Sequence, residues 1–204
     1  ATDPAKDQSY VLHMLGQDVL AGLLLPVGEL TKAEVRRRAA AFGLRTADKP
    51  DSQDVCFITD AYGRHDFLRR RIPLTPGRVV DGAGIEVGSV DAVELVTVGQ
   101  RKGMALAVGG APRYAVHVDV PAATVRVGSA HDLLVDATPV ERFSWADCPV
   151  DGPVLVQTSA HGHVDPAVLD GDVVRWPAPR RRVAPGQSVV FYEGDEVVGG
   201  ALAR

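Results

Sequence analysis

The spacing of apolar residues differs between the first third of the chain and the rest. From Ser9 to Leu25 apolar side chains recur at steps of three and four residues, which predicts one helical face or two short helices separated near Gly22. Thr31-Lys32-Ala33-Glu34 has the form of a capping box. It predicts a helix over Lys32 to Phe42, ended by Gly43 in the left-handed conformation. A further short helix is predicted from Arg64 to Arg71, before Pro73.

After Pro76-Gly77 the pattern becomes typical of β-structure. Arg78–Val80 and Ile85–Val87 flank a turn-forming segment and predict a hairpin. Further short, valine-rich runs predict strands at Leu95–Val98, Tyr114–Val118, Thr124–Val127, Val154–Thr158, Val173–Trp176, Ser188–Tyr192 and Val197–Leu202. Many short strands at such spacing indicate a small barrel or sandwich. We therefore expect an α+β protein in which a small helical central domain precedes an antiparallel β-barrel that begins at residue 77.

Composition excludes several classes of protein. The 204 residues are 46% hydrophobic and 24% charged, as in ordinary globular chains, and the net charge is −4. No apolar run approaches the roughly 20 residues that span a bilayer, and no signal-peptide pattern is visible, so we expect no membrane partner. Two cysteines are too few for a disulfide scaffold, which favours a reducing, cytoplasmic compartment. His161 and His163 are a close pair without a third ligand nearby, so no metal site is predicted.

The positive charge is clustered despite the acidic net balance. Arginine triplets stand at 36–38, 69–71 and 180–182. Each is either an ordinary solvated face or part of a surface that binds phosphate, because phosphate contacts depend on local rather than net charge.

Cys56 is the one residue whose surroundings suggest covalent chemistry. The apolar neighbours Val55, Phe57 and Ile58 fit an inert buried cysteine. The polar, turn-forming residues before it instead favour a thiol in a loop beside a substrate, where a nearby cation would lower its pKa. Both interpretations stay open from composition alone, whereas nothing near Cys148 suggests activation.

Two polar segments are candidates for binding phosphate. Gly99-Gln100-Arg101-Lys102-Gly103 follows a predicted strand and is either an exposed hairpin or a loop whose Arg101 and Lys102 hold an RNA backbone. Lys6-Asp7-Gln8 stands at the head of the first predicted helix, as a capped helix start or a phosphate site.

Walker, nucleophile-elbow and dinucleotide motifs are absent from the sequence, so the residues alone support neither an ATP site nor a hydrolase.

Taken in order, six segments resemble the bacterial tRNA-specific 2-thiouridylases, the MnmA family. They are Lys6–Tyr10, Pro26–Gly28, Thr31–Arg36, Lys49–Ile58, Gly99–Gly103 and Ala184–Tyr192. The resemblance implies a tRNA-uridine 2-sulfurtransferase that adenylates C2 of the wobble uridine with ATP and replaces the oxygen with sulfur from a cysteine persulfide. It gives Cys56 the role of persulfide cysteine, and Lys6, Asp7, Gln8 and Gln187 the role of tRNA contacts. The implied partners are tRNA and a cysteine desulfurase or sulfur-relay protein that donates the persulfide.

The chain also departs from the family pattern. The Ser-Gly-Gly-x-Asp-Ser loop of the family's ATP-pyrophosphatase domain and its second catalytic cysteine are missing. We therefore expect residues 1–28 to be the helical end of that domain, 29–76 the central domain with Cys56, and 77–204 the barrel. Such a fragment would neither bind ATP nor complete thiolation alone. Thr158–His161 replaces an Arg-Tyr pair that contacts tRNA in the family.

The sequence allows two other interpretations. The barrel pattern and arginine triplets would also suit a stand-alone RNA-binding β-barrel module with no catalysis. A metal-binding or hydrolytic enzyme has almost no support in the sequence.

Overall fold

The computed structural model describes residues 1–51, 63–106, 111–160 and 162–204. The chain divides into two compact units that are not continuous in sequence. The first unit comprises Ala1–Ser52, Ala137–Pro177 and Pro185–Arg204, and the second comprises Gln53–Asp136 and Ala178–Ala184. The predicted boundaries after residues 28 and 76 stay a prediction, because the units group residues by packing rather than by sequence order.

Helices are few and short. The α-helices are α1, Gln17–Leu20; α2, Lys32–Ala41; and α3, Gly63–Arg69. Single 3-10 turns occupy Pro4–Lys6, Ser9–Met14, Val93–Leu95 and His131–Leu133. The capping box predicted for α2 is confirmed: the Thr31 hydroxyl accepts from the Glu34 amide, and the Glu34 carboxylate accepts from the Thr31 amide. Gly43 has a φ of +68° and ends α2 as expected.

Among the described residues, eight of the nine predicted strands are present, together with three that were not predicted, Ala105–Leu106, Leu134–Trp145 and Asp165–Asp170. In chain order the strands are β1, Gly77–Val80; β2, Glu86–Val90; β3, Ala105–Leu106; β4, Tyr114–Asp119; β5, Thr124–Gly128; β6, Leu134–Trp145; β7, Gly152–Gln157; β8, Asp165–Asp170; β9, Val173–Arg181; β10, Ser188–Glu193; and β11, Glu196–Ala203. One sheet has the order β3-β2-β1-β5-β4, and a closed barrel has the order β10-β11-β6-β9-β8-β7. The α+β class with a β-barrel is thereby confirmed.

Two local predictions were wrong. The predicted strand Leu95–Val98 begins instead in the 3-10 turn Val93–Leu95, whose first residue is buried in the core. The apolar residues of Ser9–Leu25 form two short helical segments rather than one amphipathic helix, but the break lies at Leu15–Gly16, between the turn Ser9–Met14 and α1, and not near Gly22. The turn Ser9–Met14 packs on β10 and β11, whereas Leu24 is 87% exposed.

Each sheet has its own core. The core of the second unit is built from small aliphatic side chains, and its fully or nearly buried members are Val79, Val90, Val93, Ala115, Val125 and Val127. In the barrel the ring of Phe191 is fully buried and stacks on Trp145 and Phe143, with ring centroids 5.6 and 6.2 Å away. Trp176 donates its indole N–H to the Thr138 hydroxyl at 3.0 Å, so its buried polar atom is satisfied.

Candidate functional site

Cys56, the predicted persulfide cysteine, lies outside the described residues. The residue that enters its motif, Asp51, lies within them and is held by three cations. Its carboxylate is 2.8 Å from the Lys6 ammonium, 2.8 Å from the Lys32 ammonium and 3.6 Å from the Arg36 guanidinium. Hydrogen bonds from Lys32 and Lys6 hold the pKa of Asp51 well below its ordinary range. The start of the Cys56 motif is therefore anchored, as an anion, on the segment that was predicted to contact tRNA.

The geometry of α2 explains how this cluster arises. Lys32 and Arg36 are four residues apart, so they lie on the same face of the helix. The Lys32 backbone N–H also donates to the Asp3 carboxylate at 3.0 Å, which fixes the start of α2 against the first residues of the chain. The sequence singled out Arg36 only as part of the triplet 36–38 and did not single out Lys32, although their spacing would have placed them on one face.

Lys6 ends the 3-10 turn Pro4–Lys6, and Asp7 and Gln8 connect it to the turn Ser9–Met14. Lys6 and Gln8 are exposed, whereas Asp7 accepts a hydrogen bond from the Ser9 backbone N–H at 2.7 Å and contacts the amino group of Ala1. Partial burial raises the pKa of Asp7, but hydrogen bonds from Ala1 and Ser9 outweigh it, and the net shift is downward. Of the three predicted contacts, Asp7 is thus engaged within the fold and Gln8 presents its surface to solvent.

A hydrogen bond joins the residue after Gln187 to Tyr10, two positions beyond Gln8. The Tyr10 hydroxyl donates to the carbonyl of Ser188 at 2.9 Å, and Ser188 follows Gln187 directly. Gln187 is exposed, and its backbone carbonyl accepts from the Ala203 N–H at 2.8 Å. Four of the predicted tRNA contacts, Lys6, Asp7, Gln8 and Gln187, therefore belong to the first unit and are linked through Tyr10.

Arg101 and Lys102 belong to the second unit, on a loop that its own side chains hold in shape. The Gln100 side chain accepts from the Thr97 N–H at 3.1 Å and donates to the Lys102 carbonyl at 2.8 Å. The Gln100 side chain thus fixes the shape of the loop by hydrogen bonds inside it, while Arg101 and Lys102 are exposed.

Arg181 secures the same loop from outside. Its guanidinium donates to the Gly99 carbonyl at 2.7 Å and lies over the Tyr114 ring, 5.5 Å from the centroid. Gly99 has a φ of +88°, and a Cβ there would stand 3.0 Å from the Arg181 guanidinium. The positive φ favours glycine at this position, whereas a Cβ would need only a small shift of the flexible Arg181 side chain.

The remaining predicted features fall in different places. Cys148 is an exposed free cysteine. Ser159 and Ala160, which stand where the family has an Arg-Tyr pair, are exposed after the end of β7, and His161 lies outside the described residues. Among the residues that the structure describes, no group of three or more histidine, cysteine or acidic side chains is arranged to hold a metal ion. No helix in those same ranges is both long and apolar enough to cross a membrane.

Comparison with known proteins places this arrangement in a family. Three family models match in succession: the tRNA methyl transferase HUP domain over residues 1–60, the tRNA methyl transferase PRC-barrel domain over 65–129, and the aminomethyltransferase β-barrel domain over 156–203. A protein of Acidothermus cellulolyticus named tRNA-specific 2-thiouridylase MnmA is 47% identical over the whole chain. The chain belongs to the tRNA-specific 2-thiouridylase family.

Other members of the family are similar to nearly the whole of this chain. Proteins of the same name from a Roseiflexus species and from Thermobifida fusca are each 43% identical, over 100% and 98% of this chain. The chain spans 59%, 57% and 56% of the length of the Acidothermus, Roseiflexus and Thermobifida proteins. Similarity to the 2-thiouridylases thus covers the whole chain, while the relatives extend beyond the part that it matches.

Proposed function

We propose that this chain is the part of a tRNA-uridine 2-sulfurtransferase that supplies the persulfide cysteine and much of the tRNA-binding surface. The observation that carries the proposal is the ion cluster at Asp51. It ties the entrance of the Cys56 motif to Lys6 of the predicted tRNA segment, at 2.8 Å. A thiol that delivers sulfur to one base of a tRNA must be positioned relative to the surface that holds that tRNA. The four residues of the cluster, Lys6, Lys32, Arg36 and Asp51, all belong to the first unit.

The proposed chemistry follows from the reactivity of a persulfide. A cysteine desulfurase or sulfur-relay protein transfers one sulfur atom to the Cys56 thiolate. The terminal sulfur attacks C2 of an adenylated uridine, a carbon–sulfur bond forms, and the carbon–oxygen bond to AMP breaks. A second cysteine thiolate then attacks the Cys56 sulfur, releases the 2-thiouridine and leaves a disulfide that an external dithiol reduces.

ATP is the co-substrate of the whole enzyme in this scheme, and we propose that adenylation is performed outside this chain. The sequence here carries neither the ATP-binding loop nor the second cysteine of the family pattern. By itself the chain is expected to accept sulfur and bind tRNA, without completing thiolation.

The electrostatics of the first unit agree with RNA as the partner. Lys6, Lys32 and Arg36 surround a single carboxylate, so the cluster keeps a net positive charge although the whole chain is acidic. RNA phosphates add to such a cluster without having to displace a balanced ion pair. Lys6, Gln8, Gln187, Arg101 and Lys102 are the proposed direct contacts, with Asp7 shaping the segment.

The decisive experiment is intact-mass spectrometry after incubation with a cysteine desulfurase and free cysteine. We expect the parent chain and Cys148→Ser to gain one sulfur atom that dithiothreitol removes, and Cys56→Ser to gain none. Cys148→Ser is the matched control because Cys148 is an exposed free thiol. Sulfur on Cys148 alone, or no gain in the parent chain, would contradict the role of Cys56.

A second experiment separates this proposal from an RNA-binding module without catalysis. The chain is joined to the ATP-pyrophosphatase part of a relative, and 2-thiouridine is measured in tRNA. Cys56→Ser should abolish 2-thiouridine while leaving tRNA affinity unchanged. Continued thiolation by the Cys56→Ser protein would favour the non-catalytic module.

A further inference from the structure

A groove of about 440 Å³ on the second unit carries cationic side chains that the proposed function has not used. It lies along β4 and β5, and we call it the β4–β5 groove. Its charged lining consists of Arg126, Arg182 and Asp132, with the imidazole of His117 beside them. Of its charged residues the sequence singled out only Arg182, in the triplet 180–182, because the groove's residues come from four separate stretches of the chain.

Strand alternation turns Arg126 outward. In β5 the neighbours Val125 and Val127 are buried in the core, so Arg126 between them is exposed. The register pairs Arg126 with His117 of β4 across an irregularity that follows Ala115. Directly opposed residues of an antiparallel pair have Cβ atoms about 5 Å apart, so the guanidinium and the imidazole share one face of the sheet.

Arg182 reaches the groove just beyond the end of β9. Its backbone N–H donates to the Leu133 carbonyl at 2.7 Å, which fixes the position of the residue. Within the described ranges, neither its guanidinium nor that of Arg126 makes an ion pair or a hydrogen bond. Barrel arginines such as Arg175 and Arg204, in contrast, are paired with Asp170 and Asp172 at 2.8 and 3.1 Å.

The floor of the groove is bare backbone at Gly128. A Cβ on Gly128 would lie 2.7 Å from the Asp132 carboxylate and 3.1 Å from a Val116 methyl group. The Asp132 carboxylate is itself occupied, since it accepts from the Ser129 hydroxyl at 2.8 Å and from the Ser129 N–H at 2.7 Å. One engaged carboxylate faces two unpaired guanidiniums, so the groove has a net positive charge.

The groove does not end at this floor. A second depression of about 320 Å³ shares Gly82, Val127 and Gly128 with it and extends to Arg113 and to Asp81, whose carboxylate accepts from the backbone N–H groups of Ala83 and Ile85. Three guanidiniums and two carboxylates therefore line the two depressions, with Arg126 and Arg182 in one and Arg113 in the next, and both carboxylates are hydrogen-bonded within the fold. A line of cations over an open floor suits a chain of phosphates better than a single small anion.

We propose that the β4–β5 groove binds the phosphodiester backbone of an RNA strand, with Arg126 and Arg182 on neighbouring phosphates and Arg113 further along. The inference rests on the proposed function in that tRNA is the RNA concerned. Contacts of this kind position an RNA without reading its bases. The groove is accordingly a sequence-independent contact on the second unit, additional to the residues of the first unit and to the Gly99–Gly103 loop.

The test compares two double variants of the full chain. Arg126→Ala/Arg182→Ala removes the unpaired guanidiniums, and Arg175→Ala/Arg204→Ala removes two paired surface arginines as the matched control. Binding of fluorescent tRNA is followed by anisotropy between roughly 50 and 200 mM salt. The groove variant should bind about tenfold more weakly at the lowest salt, and the slope of log affinity against log salt should fall by about two. The control should change neither quantity by a comparable amount.

Two further arms separate the possible failures. Arg126→Lys/Arg182→Lys keeps the charges and should retain most of the affinity and slope, which guards against a folding defect in the alanine variant. Unchanged binding by the alanine variant, beside a parent chain that binds, would overturn the groove and leave the proposed function intact. A parent chain that does not bind tRNA would overturn both. Displacement of the RNA by inorganic phosphate at concentrations comparable to those of the RNA would make the groove a single-anion site and also overturn the assignment.

Discussion

Replacing Arg181 with alanine should loosen the Gly99–Gly103 loop while the rest of the second unit stays folded. The side chain makes two contacts that hold the loop, a 2.7 Å hydrogen bond to the Gly99 carbonyl and a cation–π contact with Tyr114. The loop keeps its internal support from Gln100 in the variant. The expected result is a local opening equilibrium shifted toward the open state.

The size of the shift follows from those two contacts. A hydrogen bond from a charged donor contributes about 1.5–3 kcal/mol, and we reduce this to about 1 kcal/mol because Arg181 is exposed. A cation–π contact at an exposed site adds about 0.5–1 kcal/mol. The total of about 1.5–2 kcal/mol corresponds to a roughly 10- to 30-fold change in the opening equilibrium.

Amide hydrogen exchange measures this opening directly. The Gly99 N–H donates to the Ala115 carbonyl at 2.7 Å and the Gln100 N–H to the Thr97 carbonyl at 2.9 Å, so both amides report on the closed loop. Their exchange should accelerate by the factor above in Arg181→Ala. In Arg175→Ala, which removes a different β9 arginine, it should not change. Unaltered protection of both amides in Arg181→Ala would refute the role given to this side chain.

The other predictions concern the first unit. Burial lowers the pKa of His13, so the folded chain holds its imidazole neutral. The free energy of unfolding should therefore fall as the pH drops below about 6.5, the ordinary pKa of histidine in an unfolded chain. In urea titrations, the His13→Phe variant should lack this pH dependence. Phe191→Ala should lower the free energy of unfolding by about 3–5 kcal/mol in the same titrations, and a loss below 1 kcal/mol would contradict its central place in the barrel core. Asp51→Asn should strengthen tRNA binding several-fold at low salt, because it frees the Lys6 ammonium from its ion pair. In anisotropy titrations, adding Lys6→Ala to this variant should remove most of the gain, and the absence of any gain in Asp51→Asn would argue against Lys6 as an RNA contact.

Local sequence signals predicted those elements whose stability is itself local. The capping box at Thr31–Glu34 fixes the start of α2 through hydrogen bonds three residues apart, and the β1–β2 hairpin is fixed by the Asp81 turn. The 12-residue strand β6 was missed because Pro139 and charged residues interrupt its apolar pattern. Partners distant in sequence support it: Pro139 accepts from the Arg204 N–H, and the Val140 N–H donates to the Asp172 carbonyl. Such long-range pairing leaves no periodic trace in the strand itself.

In the candidate site, too, the parts that are continuous in sequence could be predicted, and the part assembled from distant residues could not. Motifs identified the Gly99–Gly103 loop and the Lys6–Gln8 segment, because each is continuous in sequence. The cluster at Asp51 needs Lys6 and Lys32, 45 and 19 positions away, and only the fold brings them within 2.8 Å. Spacing along the chain gives no signal for contacts of that range.

The triplet Arg180–Arg182 shows why a run of like charges cannot be assigned one role from the sequence. Successive side chains near the end of a strand point to opposite sides, so neighbouring arginines meet different surroundings. Arg181 is used within the fold, on Gly99 and Tyr114, whereas Arg182 lines the β4–β5 groove. In the second unit the arginines best placed to bind RNA are those that carboxylates and carbonyls have not already engaged. Pairing state, more than the number of arginines in a run, therefore decides which residues of that unit are expected to hold a polyanion.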